Sequence, residues 1–164
     1  MINFSLSQIQ DLPRIVEIYN QAIPTRLSTA DLEPVTIESK KAWFDAHQSK
    51  ERPMWVMKID QNIAGWVCLS DFYGRPAYAK TAEISIYIDS TYRKHGLGQK
   101  ALSFAESQLK DCKIDTLLAF VFTINQASIK LFQKNGFEQW GHLPKVANMD
   151  NQRIDLTILG KSYE

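Results

Sequence analysis

The sequence contains little cysteine, no excess of charge and no long apolar run. Its two cysteines, Cys68 and Cys112, are too few for a disulfide framework or a zinc cluster. A formal net charge of +1 provides no basic field that would attract nucleic acid. No apolar stretch approaches the roughly 20 residues that a membrane-spanning helix needs. These absences exclude a disulfide-stapled fold and argue against nucleic acid or a membrane as the partner.

Signals for export, metal binding and domain division are also missing. Met1–Phe4 is not a charged segment followed by an apolar one, so we predict a cytoplasmic protein. No two of His47, His95 and His142 have the spacing of metal ligands, so we predict no metal. The 164 residues show no repeat or linker, which predicts one domain over residues 1–164.

The most informative segment is an alternating strand that ends in a short basic turn with two glycines. Apolar and polar residues alternate from Ala82 to Asp89, and Arg93-Lys94-His95-Gly96-Leu97-Gly98 leads into a helix at Gln99. Such a junction directs free backbone N–H groups and the positive end of a helix at one point, which binds an anion, most often a phosphate. The glycines let the backbone approach the ligand, and the three basic residues add positive charge at the rim. The sequence therefore predicts a phosphate-bearing ligand here.

Hydrophobic periodicity predicts strands and helices in the order β-α-α-β-β-β-α-β-α-β-β. The predicted strands are Ile2–Leu6, Met54–Ile59, Ile63–Phe72, Ala82–Asp89, Thr116–Phe122, Phe137–Leu143 and Arg153–Leu159. The predicted helices begin near Asp11, Thr36, Leu97 and Asn125, with Asp11 and Thr36 as N-caps. We interpret Ile23–Val35 and the polar segment before Arg153 as loops. This order predicts an α/β or α+β domain, in which helices flank a mixed sheet.

Three segments together resemble the GNAT superfamily of acyl-CoA-dependent N-acetyltransferases: the glycine turn, Asn125–Ser128 and Leu131–Phe137. The pyrophosphate motif of that superfamily, Arg/Gln-x-x-Gly-x-Gly/Ala, is matched at every fixed position by Arg93–Gly98. Further segments resemble its phosphinothricin acetyltransferase branch, which acetylates small amino-acid-like compounds such as phosphinothricin and methionine sulfoximine or sulfone. These segments are Ile18–Ile23, Pro34–His47, Arg75–Tyr78, Thr81–Glu83 and Leu143–Val146.

The resemblance implies a mostly antiparallel sheet with splayed central strands, acetyl-CoA as co-substrate, and a homodimer. It implies that the strand backbone lines the pantetheine arm, that backbone N–H groups of the turn hold the pyrophosphate, and that Asn125 binds near the reactive end. The implied cofactor-binding residues are Ile86, Tyr87, Ile88, Arg93, Lys94, His95, Gly96, Leu97, Gly98, Gln99, Asn125, Ser128 and Lys134.

Transfer of an acetyl group to an amine requires a base, because an α-ammonium group has a pKa of about 8 and must lose its proton before it attacks. Glu83 is the candidate base, since it shares the polar side of its strand with Ser85 and Tyr87 and its counterpart in the branch has been proposed as the base. The alternative is that Glu83 forms an ion pair or faces solvent. A backbone N–H near Ile86 is the candidate donor to the thioester oxygen as that oxygen gains charge.

The acceptor would be held by residues on two loops. Arg75 is the candidate for a substrate carboxylate, because a guanidinium matches a carboxylate with two donors. Tyr78 could hold the substrate beside it, and Thr29 and Glu33 could shape the pocket. An ordinary loop arginine is the alternative interpretation of Arg75.

The sequence departs from the resembled pattern at two places. Many superfamily members carry a tyrosine where this chain has Phe132, so we predict that Phe132 packs and that water, Tyr78 or no group protonates the departing thiolate. Ala147–Arg153 lacks the glycine, lysine and tryptophan usual in the branch, and no histidine matches its proposed catalytic partner. The second departure predicts an altered acceptor pocket.

Two other functions remain open on the same scaffold. One is a non-catalytic acyl-CoA sensor, and the other is acetylation of a peptide or protein. The aromatic pair Phe72-Tyr73 and the long Ile23–Val35 loop favour a closed pocket for a small-molecule amine over a peptide groove.

Overall fold

One seven-stranded sheet, in a computed structural model that describes residues 1–164, organises the chain. Its strands are β1 (Ile2–Leu6), β2 (Met54–Ile59), β3 (Asn62–Asp71), β4 (Thr81–Ile88), β5 (Thr116–Phe122), β6 (Glu138–Met149) and β7 (Gln152–Ser162). Their spatial order is β1-β2-β3-β4-β5-β7-β6, and every neighbouring pair is antiparallel except β4 and β5. The predicted mixed, mostly antiparallel sheet is confirmed.

Four helices flank the sheet. They are α1 (Leu12–Ala22), α2 (Lys41–Ala46), α3 (Leu97–Gln108) and α4 (Gln126–Lys134). Short 3-10 turns cover Ile9–Asp11, Ile23–Thr25, Glu38–Lys40, Pro76–Tyr78 and Ser90–Tyr92. None of these helices has both the length and the apolar character needed to cross a bilayer.

The apolar residues form a layer on each face of the sheet, because successive residues of a strand point to opposite faces. On β3, Val67 and Leu69 join the cluster that contains buried residues of α3 and α4. Trp66 and Cys68 join the cluster that contains buried residues of α1 and α2. The Trp66 indole N–H also donates to the backbone carbonyl of Ile15, 3.1 Å away, which fixes α1 on its face.

The two central parallel strands separate after a short paired segment. Thr81–Glu83 of β4 pairs with Thr116–Leu118 of β5, and the ladder stops there. β4 nevertheless continues to Ile88 and β5 to Phe122, and residues of both unpaired halves line one cavity. The implied splay of the central strands is therefore confirmed, and it creates space inside the sheet.

The predicted loop between the last two strands is wrong. β6 runs on to Met149 and β7 begins at Gln152, so Asp150 and Asn151 alone form the turn, both with positive φ. The register shifts between Leu143 and Ala147, where the backbone is irregular. This shift breaks the apolar–polar alternation, and the exposed outer strand carries polar residues on both sides. A polar run on an edge strand is indistinguishable by composition from a loop.

Two predicted N-caps are also corrected. Asp11 does not cap α1; it has helical dihedral angles, and its carboxylate accepts a hydrogen bond from the Gln8 backbone N–H at 2.8 Å. The Thr36 hydroxyl accepts from the Ser39 N–H at 3.0 Å, but Ser39 belongs to the 3-10 turn that comes before α2, and α2 begins only at Lys41.

Candidate active site

The glycine turn forms an open cradle of backbone N–H groups at the start of α3. Lys94 and Gly96 both have left-handed backbone conformations, with φ of 67° and 73°. The N–H groups from Lys94 through Gln99 donate to no group of the protein, because they precede or begin the helix. A Cβ on Gly96 would meet nothing within 4 Å, so the backbone here is open to a ligand. The predicted anion site thus has the required free donors.

A cavity of about 320 Å³ lies at this cradle, and we name it the turn cavity. Most of the predicted cofactor residues border it, whereas the exposed His95 does not. Its lining is Ile88, Tyr92, Arg93, Lys94, Gly96, Leu97, Gly98, Gln99, Leu131 and Lys134.

A larger cavity of about 780 Å³, which we name the main cavity, occupies the gap between β4 and β5. Its walls are Glu83–Ile88 and Ala119–Phe122, with further residues from α4, β6, β7 and the loop after α1. The two cavities adjoin, since both are bordered by Ile88, Arg93, Gly98 and Leu131. One continuous depression therefore leads from the free amides into the sheet.

Glu83 lies in the wall of the main cavity, where β4 parts from β5. The side chain is half-buried and forms no ion pair, so the ion-pair alternative does not apply. Burial raises the pKa of the Glu83 carboxyl above its usual range. Glu83 and Arg93 are the only charged residues in this lining. A carboxylate with a raised pKa in the wall of a cavity can accept a proton from a bound amine.

A loop after α1, the covering loop Arg26–Asp31, roofs the main cavity. The Tyr87 hydroxyl donates to the Ser28 carbonyl at 2.7 Å, and the Asn125 amide donates to the Leu27 carbonyl at 3.3 Å. At the start of the loop, the Arg26 guanidinium bonds both carboxylate oxygens of Asp150, at 2.7 and 3.3 Å. The loop is therefore tied to β4, to the start of α4 and to the β6–β7 turn.

The far end of the covering loop is anchored on α1. The Tyr19 hydroxyl donates to Asp31 and also contacts the hydroxyl of Thr29, which is buried and lines the main cavity. Burial and the bond to Asp31 raise the pKa of Tyr19 to about 12. The sequence offered no signal for these anchors or for the Arg26–Asp150 pair, because the partners are distant in the chain.

Helix α4 presents Asn125 and Ser128 to the main cavity and Lys134 to the turn cavity. The Asn125 side chain caps α4 by accepting from the Ser128 N–H at 3.3 Å, as the sequence indicated. Phe132 is buried, and its ring centroid lies 5.0 Å from that of Phe137. The prediction that Phe132 packs is confirmed, although Phe132 also lines the main cavity.

The predicted acceptor residues do not all meet. Thr29 lines the main cavity, whereas Glu33 and Arg75 are exposed and border neither cavity. The Tyr78 ring lies outside the lining and contacts Phe72, at 5.4 Å between centroids. Phe72 in turn contacts Phe120, a wall residue of the main cavity, at 6.4 Å. Tyr78 thus adjoins the cavity only through two other rings.

His47, His142 and both cysteines occupy structural positions. His47 is buried with Nδ1 2.8 Å from the Trp43 carbonyl, and burial lowers its pKa. His142 pairs with Asp155 on the exposed side of the β6–β7 hairpin. Cys68 and Cys112 are both buried, and burial raises the pKa of each thiol, which disfavours the reactive thiolate. No three His, Cys, Asp or Glu side chains cluster in a way that could hold a metal ion.

Comparison with known proteins gives relatives along nearly the whole chain. The Bacillus subtilis protein YwnH, provisionally named a phosphinothricin acetyltransferase, is 46% identical over 157 residues, which cover 95% of this chain and 96% of YwnH. The L-methionine sulfoximine/L-methionine sulfone acetyltransferase of Pseudomonas paraeruginosa is 28% identical over 152 residues, which cover 92% of this chain and 88% of the relative.

Solved structures share the fold over its full length. A crystal structure of a provisionally assigned phosphinothricin N-acetyltransferase superposes with a TM-score of 0.97 at 44% identity, covering 100% of this chain and 99% of that one. Salmonella typhimurium YncA, solved with acetyl-CoA as its cofactor, superposes with a TM-score of 0.93 at 24% identity, covering 100% and 95%. The second likeness concerns the fold alone.

The sequence profile of the acetyltransferase (GNAT) family matches residues 12–137, which include α1, the splayed strands, the glycine turn and α4. With that match and with YwnH at 46% identity, the chain belongs to the GNAT family of acetyltransferases.

Proposed function

We propose that this protein transfers an acetyl group from acetyl-CoA to the amino group of a small amino-acid-like acceptor. Methionine sulfoximine, methionine sulfone and phosphinothricin are the first acceptors to consider, because relatives are named for them. The observation that carries the proposal is the continuous depression from the free amides of the glycine turn to Glu83. An anion site at one end and a carboxylate at the other suit a long thioester that carries a diphosphate.

Acetyl-CoA fits the residues present along this depression. The backbone N–H groups of Lys94–Gln99 would hold the diphosphate, with Arg93 and Lys134 beside it. Beyond Glu83, the edge of β4 that faces β5 has no partner strand, so the backbone of Ile86–Ile88 is free to bond an extended pantetheine arm. YncA, which shares the fold, carries acetyl-CoA as its cofactor.

Glu83 would act as general base, taking the proton from the acceptor ammonium directly or through one water. The neutral amine then attacks the thioester carbonyl, and a backbone N–H near Ile86 stabilises the oxygen as it gains charge. The nitrogen, now bonded to the acetyl carbon, loses its second proton to water as the C–S bond breaks, so that a neutral amide forms and the thiolate leaves. Phe132 has no proton to give, and the Tyr87 hydroxyl already donates to the Ser28 carbonyl. Tyr78 lies outside the cavity lining, so water would protonate the thiolate, or the thiolate would leave unassisted, which the thiol pKa of about 8.5 permits.

The acceptor would lie under the covering loop beside Thr29. We keep Arg75 and Tyr78 as the candidates that would hold the acceptor and Glu33 as a candidate that would shape its pocket, although none of the three borders either cavity. The proposal includes a homodimer, a cytoplasmic location and one acetyltransferase domain over the whole chain.

An acceptor screen tests the proposed function. Release of free thiol from acetyl-CoA is measured with methionine sulfoximine, methionine sulfone, phosphinothricin, common amino acids and short peptides. The expected result is acceptor-dependent release with at least one small amino acid analogue. A protein that binds acetyl-CoA and releases thiol with none of these would be a sensor, and preference for peptides would overturn the small-molecule assignment.

A further inference from the structure

Asp89, the residue directly after β4, is a buried carboxylate that the reaction above does not use. Its exposed fraction is 3%, and both of its oxygens are occupied. Oδ1 accepts from the Thr91 N–H at 2.8 Å and from the Thr91 hydroxyl at 2.6 Å. Oδ2 accepts from Arg14 Nη2 at 2.7 Å and from Gln21 Nε2 at 2.9 Å. Charged groups are rarely buried this fully unless they have such partners.

The bonds at Asp89 join α1 to the segment that leads into the glycine turn. The Gln21 side chain is the bridge, because it donates to Asp89 and also accepts from the Ser90 backbone N–H at 2.9 Å. Arg14 donates in addition to the Ile63 carbonyl, at 3.1 and 3.3 Å, which links the same group to β3. The path of the chain after β4 is therefore fixed from two sides before it reaches Arg93.

The glycine turn, which follows this segment, needs to be held in place by such bonds. Lys94, a non-glycine residue, has a left-handed backbone conformation there, and Arg93–Gly96 is exposed. A loop that is disordered before binding must lose conformational entropy when its amides converge on an anion, which weakens binding. A loop held in the binding conformation avoids most of that loss.

We propose that Asp89 is a positioning residue for coenzyme A, which acts through Gln21 and Thr91 to preorganise the amides of the glycine turn for the diphosphate. This inference rests on the proposed function. Asp89 touches neither cavity, and its negative charge would repel a diphosphate if it did. Its contribution is thus to the geometry of the turn.

Asp89 positions the glycine turn in its ionised, carboxylate form. Burial alone would raise the pKa of Asp89, but hydrogen bonds from Thr91, Gln21 and Arg14 together hold it well below its usual range. In Asp89→Asn, an N–H₂ group replaces one of the two oxygens. It would then face either the Thr91 donors or the Arg14 and Gln21 donors, depending on how the amide is turned.

The test compares two acetyl donors in wild type, Asp89→Asn and Gln21→Ala. Acetyl-CoA carries the diphosphate, whereas S-acetylpantetheine ends before it. We expect kcat/KM for acetyl-CoA to fall about tenfold in both variants, mainly through KM, because bonds to a charged group are lost. The value for S-acetylpantetheine stays at the wild-type level. Glu17→Gln is the matched control, since exposed Glu17 contacts Arg14 but not Asp89, and it leaves both donors unaffected.

Two kinetic results would contradict the inference. An equal loss of kcat/KM with both donors would show a merely structural role, and no loss of kcat/KM in a folded Gln21→Ala would show that the bridge does not position the turn. If Asp89→Asn does not fold, Gln21→Ala carries the test, because it leaves the Arg14–Asp89 pair intact. Calorimetry with coenzyme A then separates this inference from the proposed function. If the wild-type protein binds no coenzyme A, the proposed function itself is overturned. If wild type and Gln21→Ala bind coenzyme A with equal affinity, this inference alone is overturned.

Discussion

Glu83 lies half-buried in the wall of the main cavity and accepts no hydrogen bond from a protein donor. An ionised carboxylate in that position loses hydration without gaining a partner, so the folded state is destabilised by its charge. Such an arrangement is typical of a group retained for chemistry, since a glutamine would avoid the penalty. Function and stability are thus opposed at this residue.

The first prediction concerns the rate. Glu83→Gln removes the base, and we expect kcat to fall about 100-fold or more, the usual contribution of general-base catalysis. In wild type, activity should fall as the pH drops through the raised pKa of Glu83, because the carboxyl becomes protonated. The acidic limb of the pH–rate profile should disappear in the variant, and an unchanged rate and profile would remove Glu83 from the mechanism.

The second prediction concerns stability, and its sign follows from the same pKa. Because the folded-state pKa is above the unfolded value, the folded protein binds more protons, and stability falls as the pH rises from about 4.3 through the folded-state pKa. Glu83→Gln should therefore raise the free energy of unfolding at pH 7 and have little effect near pH 4. Urea denaturation at the two pH values measures this, and equal effects at both would contradict it.

At the scale of elements, the glycine turn and the splayed strands determine where a ligand can bind. β1, β2 and β5 have the bounds that the sequence predicted, because β1 alternates cleanly between apolar and polar residues and β2 and β5 are mostly apolar runs. β6 extends beyond its predicted end, since this edge strand with a register shift carries no clean alternation, and its partner β7 is longer than predicted at both ends. Local motifs thus indicated the anion site, but the covering loop depends on contacts such as Arg26–Asp150 that no local pattern encodes.

A third prediction tests the glycine turn with a matched pair of glycines. Gly96 and Gly74 both have left-handed φ, of 73° and 67°, but only Gly96 lines the turn cavity. Alanine at either position should destabilise the protein by about 1–2 kcal/mol through backbone strain. Only Gly96→Ala should also weaken acetyl-CoA binding, because its methyl group enters the cradle. Binding is measured by calorimetry, and equal affinities for the two variants would argue against the cradle.

A fourth prediction tests the tie between the covering loop and the β6–β7 turn. Asp150→Asn weakens the exposed bond to Arg26, which should change stability by less than about 1 kcal/mol. The acceptor KM should rise several-fold, because the roof of the main cavity loosens, while the KM for acetyl-CoA stays unchanged. The control is Asp45→Asn, which breaks the exposed Lys41–Asp45 pair on α2. A rise in both KM values, or in neither, would contradict a role for the loop in acceptor binding.

At the scale of the whole molecule, α1 supports both parts of the site, the segment before the glycine turn and the covering loop. Arg14 and Gln21 hold the segment before the glycine turn, and Tyr19 holds the covering loop. The helix itself was predictable from its apolar spacing, but its polar residues were not, because their partners lie up to 75 residues away. One rigid helix between a cofactor segment and an acceptor loop keeps the two parts of the depression aligned.

The alignment of the turn cavity with the main cavity is tested most directly by a crystal structure of the protein with coenzyme A. We expect the diphosphate within hydrogen-bond distance of the backbone N–H groups of Lys94–Gln99, and the sulfur in the gap between β4 and β5, near Glu83. A diphosphate bound elsewhere, or a sulfur that points away from Glu83, would contradict the proposed site.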